Sequence, residues 1–200
     1  LEFYAIAPKA QQPAVLDTVK RALLFELATT ADTNNPFGYA RQLVQLKDGQ
    51  RRTSFFFPHD TEAAPWWQGE NARLASLAAA ARMAMPLFKN DTAFNQQLNH
   101  YAWDQLNWIL GRNPFDVSML TGSGHRHISY QFFNSWRYTT LPGGIVNGIT
   151  ASPDQNVDGI AFDQGYAVTG KDDDWRWAEG WLPHSAWYLY AVSLPTISQK

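Results

Sequence analysis

Residues 172–193, DDDWRWAEGWLPHSAWYLYAVS, hold a single glutamate, Glu179, between Trp177 and Trp181 and directly before an apolar run. A carboxylate beside indoles costs free energy unless it has a partner or a task. The start of a helix favours its ionised form through the helix dipole. Indoles that exclude water favour the neutral form. Where the second effect wins, the group can hold a proton near neutral pH and act as the general acid that cleaves a glycosidic bond. The same residues also fit a helix-capping carboxylate, or an ion pair with Arg176.

Three further clusters have the right residue types for chemistry. Asp172, Asp173 and Asp174 can bind a hard cation or hold a sugar hydroxyl, and equally make a solvated turn. In GSGHRHIS, His125, Arg126 and His127 follow a Gly-Ser-Gly turn. These side chains can donate hydrogen bonds to sugar hydroxyls, and the glycines let a backbone come close. As a metal site His-x-His is weak, since it supplies only two ligands. In FFFPHDTEAAPWWQGEN, His59, Asp60 and Glu62 precede Trp66 and Trp67, and Gln68, Glu70 and Asn71 follow. Polar groups beside an indole platform suit a carbohydrate subsite. Glu70 also fits an ordinary acid in the first turn of a helix. The chain has no glycine-rich phosphate loop, no Gly-x-Ser-x-Gly and no His-Glu-x-x-His.

Helices must position these groups. Val15, Val19, Leu23 and Leu27 fall on one stripe and predict a helix over QQPAVLDTVKRALLFELATT. Residues 31–65 are rich in Asn, Pro, Gly and Asp and read as loop with at most short strands. Leu74, Leu77, Ala78, Ala81 and Met85 predict a second helix, with alanines that permit close packing. Leu98, Ala102, Leu106 and Ile109 predict a third, capped by Asn90 or Asp91 and ended by Gly111 and Pro114. The fourth starts near Leu182, with Pro183 in its first turn and Ala186, Leu189 and Val192 facing inward. Residues 113–178 carry no helical pattern, and SYQFFNSWRYTTLPGGIVNGIT has the composition for short strands. A loop that long is more often a functional loop system than a linker. The expectation is an all-α scaffold with its site in long loops at one end.

Composition narrows the partners. With 16 Lys+Arg against 18 Asp+Glu the net charge is -2, which provides no basic footprint for nucleic acid or an anionic membrane. No apolar run reaches the length of a membrane span. The absence of cysteine excludes a disulfide scaffold and a thiolate metal site. Nine Trp in 200 residues are more than a core of this size needs, and indole faces pack well on sugar rings.

Taken in order, three segments resemble the C-terminal part of the catalytic domain of glycoside hydrolase family 9, the family of inverting cellulases and related exo-glucosaminidases. NWILGRNPFDVSMLTGSG resembles the family's Leu-Gly-x-Asn-Pro segment leading into Gly-x-Gly. LPGGIVNGITASPDQNVDGIAF resembles the glycine- and Asp-rich stretch after it. DDDWRWAEGWLPHSAWYL resembles the closing segment, an acidic lead followed by a glutamate and a helix. PHDTEAAPWWQGENARLAS is similar to a bacterial, less cellulase-like branch.

The resemblance implies that residues 1–200 are the C-terminal portion of a single (α/α)6 catalytic domain, a toroid of twelve helices with the site in loops at one end. It implies a hydrolase of β-linked oligo- or polysaccharide, with Glu179 as general acid. Trp66, Trp67, Glu70, His125, Arg126, Trp177 and Trp181 then bind substrate. No cofactor is expected, although calcium, which parts of the family bind, is compatible with the aspartate run. The compartment of a bacterial enzyme of this kind is extracellular, periplasmic or cytoplasmic.

Three departures shape the expectation. Ala178 stands where cellulases carry Asn before the acid. Gly122-Ser123-Gly124 runs straight into His125-Arg126 without a Pro-rich spacer. The Asp-Ala-Gly-Asp motif that carries the family's catalytic base is absent from the 200 residues. Inversion needs a base roughly 6.5–9.5 Å from the acid, so the base is expected outside this chain, in the remainder of the catalytic domain or another chain. Unpaired apolar helix stripes should then lie exposed. Two other classes compete: a carbohydrate-binding protein without catalysis, and a helical polysaccharide lyase using Tyr130, His127 and Arg137.

Overall fold

The computed structural model describes residues 1–46, 48–56, 69–127, 141–151, 160 and 178–196. Five α-helices occur among them: α1 (Glu2–Ile6), α2 (Gln12–Ala31), α3 (Glu70–Ala84), α4 (Thr92–Ile109) and α5 (Leu182–Ser193). A single 3-10 turn, Met85–Phe88, follows α3. One antiparallel hairpin, β1 (Gln42–Gln45) with β2 (Arg51–Ser54), pairs Gln42 with Ser54 and Gln45 with Arg51.

The centre is α3 laid between α4 and α5. Five alanines of α3, including Ala75, Ala78 and Ala81, are buried with Leu74. Their small side chains let the neighbouring helices approach closely. Leu98, Ala102, Leu106 and Ile109, the predicted stripe of α4, are all completely buried. Each large apolar side chain removed from water in this way contributes about 1.5–3 kcal/mol. Asp91 caps α4 by accepting from the Phe94 backbone N–H at 3.2 Å. The same carboxylate accepts from Lys20 Nζ at 2.8 Å, so the cap also ties α2 to α4. The hydrogen bond from Lys20, then that from the Phe94 N–H, holds the Asp91 carboxyl below its usual range.

Part of the aromatic excess is core. Trp108 is buried at the end of α4 against Tyr39, with ring centroids 4.5 Å apart, and Phe37 and Phe56 close the cluster. Trp103 carries the Arg82 guanidinium on its face at 4.5 Å.

The short strands allowed for in residues 31–65 are the β1–β2 hairpin, whose polar strands (QLVQ and RRTS) lack a strong alternating signal. One expectation changes. The inward face of α5 is not Ala186, Leu189 and Val192, which are exposed. The buried residues are His184 and Ala191, with Tyr188 half-buried between them. α5 is apolar nearly all round, so hydrophobic spacing could not select a face. Small Ala191 and hydrogen-bonding His184 fit against α3, and the bulky residues turn outward. Leu182 is 82% exposed and Leu189 68%, with Trp187, Tyr190 and Val192 beside them. No helix among the described residues is long and apolar enough to cross a membrane.

Candidate active site

Three segments meet at the start of α3. The first is the loop after α4, which turns back so that the Met119 N–H donates to the Ile109 carbonyl at 2.8 Å. The second is the buried run Ile145–Ala151, and the third is the turn Ala178–Trp181 before α5. Leu120 bridges to Ile145 and Val146 to Gly180, so the run lies between the other two. The Asn71 N–H donates to the Asn147 carbonyl and Asn71 Nδ2 to the Val146 carbonyl, both at 2.8 Å. Gly148 has φ 108°, and a Cβ there would stand 2.7 Å from the Asn71 amide carbon. Only glycine lets the two chains approach this closely.

Glu179 sits on this platform. Its carbonyl accepts from the Asn147 N–H at 2.8 Å, and the next residue, Gly180, pairs with Val146. Ala178 before it is completely buried, while Glu179 itself is half-buried. Among the described residues its carboxylate has no hydrogen-bond or ion-pair partner. Trp181, the N-cap of α5, is 42% exposed. Arg176, the partner considered from sequence, lies outside the described residues.

Glu70 is held differently. It is 3% exposed and accepts from Arg73 Nε at 3.0 Å and from the Tyr39 hydroxyl. Arg73 also donates to the Ala40 carbonyl at 2.8 Å. Burial, then the Glu70 charge, pushes the Tyr39 hydroxyl well above its usual range. Burial alone would lower Arg73, but Glu70 and Tyr39 outweigh it and raise the guanidinium. This is a buried ion pair that locks the hairpin side of the molecule to the first turn of α3.

His125 and Arg126 lie in the exposed turn after α4. His125 Nε2 donates to Asp116 Oδ2 at 2.8 Å. Asp116 and Arg126 both have positive φ, 52° and 54°. Left-handed backbone at a residue with a Cβ costs of order 1–3 kcal/mol and concentrates at functional sites. His127 is also exposed. Trp66, Trp67 and Trp177 lie outside the described residues, as do His59, Asp60, Glu62 and Gln68, the aspartates 172–174, and Tyr130 and Arg137. Among the described residues, no three His, Asp or Glu side chains gather as metal ligands.

The glycosyl hydrolase family 9 profile matches residues 17–175, most of the chain. The chain belongs to glycosyl hydrolase family 9. Carbohydrate is therefore its substrate class. The matched span covers the start of α3, α4, the His125–Arg126 turn and the Ile145–Ala151 run, and it ends before Glu179. None of the curated proteins matches the chain.

Sequence reading passed over two residues of this candidate site, Asn147 and His184. His184 is 1% exposed, and its Nε2 donates to Asn147 Oδ1 at 2.8 Å. Burial lowers the imidazole to about 4, so the ring is neutral at neutral pH. A lone imidazole in the apolar run WLPHSAWYLY was the available signal.

A concavity of about 670 Å3 lies between α2 and α4, and Glu179 is not among its lining residues. Buried Asp104 lines it, bonded to Arg112 at 2.8 Å, with His100 at 3.3 Å. Burial raises the Asp104 carboxyl despite the neighbouring His100 and Arg112.

Proposed function

We propose that the chain is the acid-bearing part of an inverting glycosidase acting on β-linked oligo- or polysaccharide. Glu179 protonates the departing glycosidic oxygen. An aspartate outside these 200 residues deprotonates the attacking water. The observation that carries this reading is the setting of Glu179: a half-buried carboxylate, unpartnered among the described residues, on a turn whose backbone is pinned on both sides. Exposed Trp181 beside it offers an apolar face to a sugar ring. His125 and Arg126 supply donors for hydroxyls, and Glu70 supports the site from below through its ion pair.

The same reading makes the fold a portion of an (α/α)6 toroid. The packing of α3 on both α4 and α5 is the helix-on-helix contact such a ring is built from. The outward apolar residues of α5, with exposed Leu141 nearby in sequence to the platform, supply a surface for the remaining helices.

The test is leaving-group dependence in the polypeptide that carries this chain together with its base. E179Q is compared with the parent on unactivated β-linked gluco- and glucosamine-oligosaccharides and on a 2,4-dinitrophenyl glycoside, whose leaving group needs no proton. General acid catalysis contributes about 10²–10⁴-fold. A loss of that size is expected on the oligosaccharides and little on the activated substrate, with the inverted anomer appearing first by NMR. Equal loss on both substrates would remove Glu179 from the acid role.

A further inference from the structure

We propose that His184 is a positioning residue for Glu179, acting through Asn147; this rests on Glu179 being the general acid. The geometry is a closed ring of contacts. The Asn147 backbone N–H holds the Glu179 carbonyl at 2.8 Å, and its side-chain oxygen takes the His184 Nε2 proton at 2.8 Å. One residue therefore grips both ends of the turn 179–184. The His184 N–H donates to the Trp181 carbonyl at 3.1 Å, which closes the first turn of α5 within that grip.

Asn147 is itself fixed from the far side, because its carbonyl accepts from the Asn71 N–H at the start of α3. All three side chains are buried, Asn71 and Asn147 completely. Their hydrogen bonds join α3, the Ile145–Ala151 run and the start of α5 in one buried chain. Asn147 Oδ1 can only accept, so Nε2 of His184 carries the ring proton. That leaves Nδ1 as the lone-pair nitrogen, and it has no hydrogen-bond partner among the described residues. The clamp thus needs a proton on Nε2, and in the neutral ring that burial favours this bond fixes the tautomer. His184 lies in no position to touch substrate through this bond. Its effect reaches the reaction by where it holds the Glu179 backbone.

The prediction separates positioning from bulk stability. In the active polypeptide, His184→Leu should lose about 10²-fold in kcat on unactivated oligosaccharides, the scale of a misplaced catalytic group. KM and turnover of the dinitrophenyl glycoside should stay within a few-fold. His184→Gln, which keeps an N–H donor at this point, should recover most of the loss. If the leucine variant does not fold, His184→Asn, whose amide is too short to reach Asn147, takes its place with the same expectation. In parallel, hydrogen exchange at the Asn147 amide should quicken in the leucine or asparagine variant and stay slow in the glutamine variant.

Equal loss on both substrates, no loss on either, or no rescue by glutamine would overturn the positioning role while E179Q still shows leaving-group dependence. An E179Q variant without that dependence would instead overturn the acid assignment beneath it.

Discussion

Glu70 opens α3, and Glu179 stands just before α5, a helix packed directly on α3. Glu70 directly precedes Asn71 of the Asn71–Asn147 platform, and the Glu179 backbone carbonyl bonds Asn147. Glu70 is 3% exposed and bound by Arg73 and Tyr39, so its charge is used to hold the fold. Glu179 is half-buried, with its backbone held and its carboxylate unpartnered among the described residues. A carboxylate at a helix start is thus not a functional signal by itself. What separates the two is whether the hydrogen bonds fall on the side chain or on the backbone.

The largest test of this contrast exchanges each glutamate for glutamine. E70Q leaves Arg73 buried without its counter-charge and should cost about 3–5 kcal/mol in denaturant unfolding. E179Q should unfold within about 0.5 kcal/mol of the parent while losing activity on unactivated substrates. A stable E70Q, or an E179Q that unfolds easily, would erase the distinction.

The next effect is read in pH. His184 is lowered from 6.5 to about 4 by burial, so the folded state prefers the neutral ring. Its contribution is complete above pH 6.5 and is lost as pH falls toward 4, where the unfolded chain takes up the proton first. Relative to H184Q, the parent should lose roughly 3 kcal/mol over that window. A stability difference independent of pH would contradict a buried neutral imidazole.

Glycine replacements give a smaller and sharper comparison. Gly148→Ala meets Asn71 and carries a positive φ, and should destabilise by about 1–3 kcal/mol. Gly49→Ala, with positive φ but open space around it, should cost about 1 kcal/mol. Thermal unfolding of the two variants measures whether close approach at the platform adds to backbone strain. The smallest effect is expected on the outer face of α5. Leu189→Ser should shift the 200-residue chain by no more than about 0.5 kcal/mol. In the longer polypeptide proposed to complete the domain, the same change is expected to cost clearly more, as burial of a leucine is worth about 1.5–3 kcal/mol.

The parts of the fold legible in sequence were those fixed locally. Leu98, Ala102, Leu106 and Ile109 repeat at helical spacing, and Asp91 and Gly111 bound the same helix. Pro183 marked the first turn of α5. The five residues of α1 are too few to show a period, and β1 and β2 are too polar to show alternation. The buried face of α5 was illegible because Leu182, Trp187, Leu189, Tyr190 and Val192 leave no polar side to orient it. In the candidate site, Glu179 and Glu70 stood out by residue type. That Glu70 is used in an ion pair was hinted by Arg73 three residues on. The Asn147–His184 bond spans 37 residues, and no local pattern announces it.

The most direct measurement is product formation by the purified 200-residue chain, its length verified by intact mass. It would be run on β-linked gluco- and glucosamine-oligosaccharides beside E179Q and the polypeptide carrying the rest of the domain. The account predicts no product from the 200-residue chain, and product from the longer polypeptide that E179Q abolishes. Turnover by the 200-residue chain itself, lost in E179Q, would contradict it by showing that acid and base lie together within these residues.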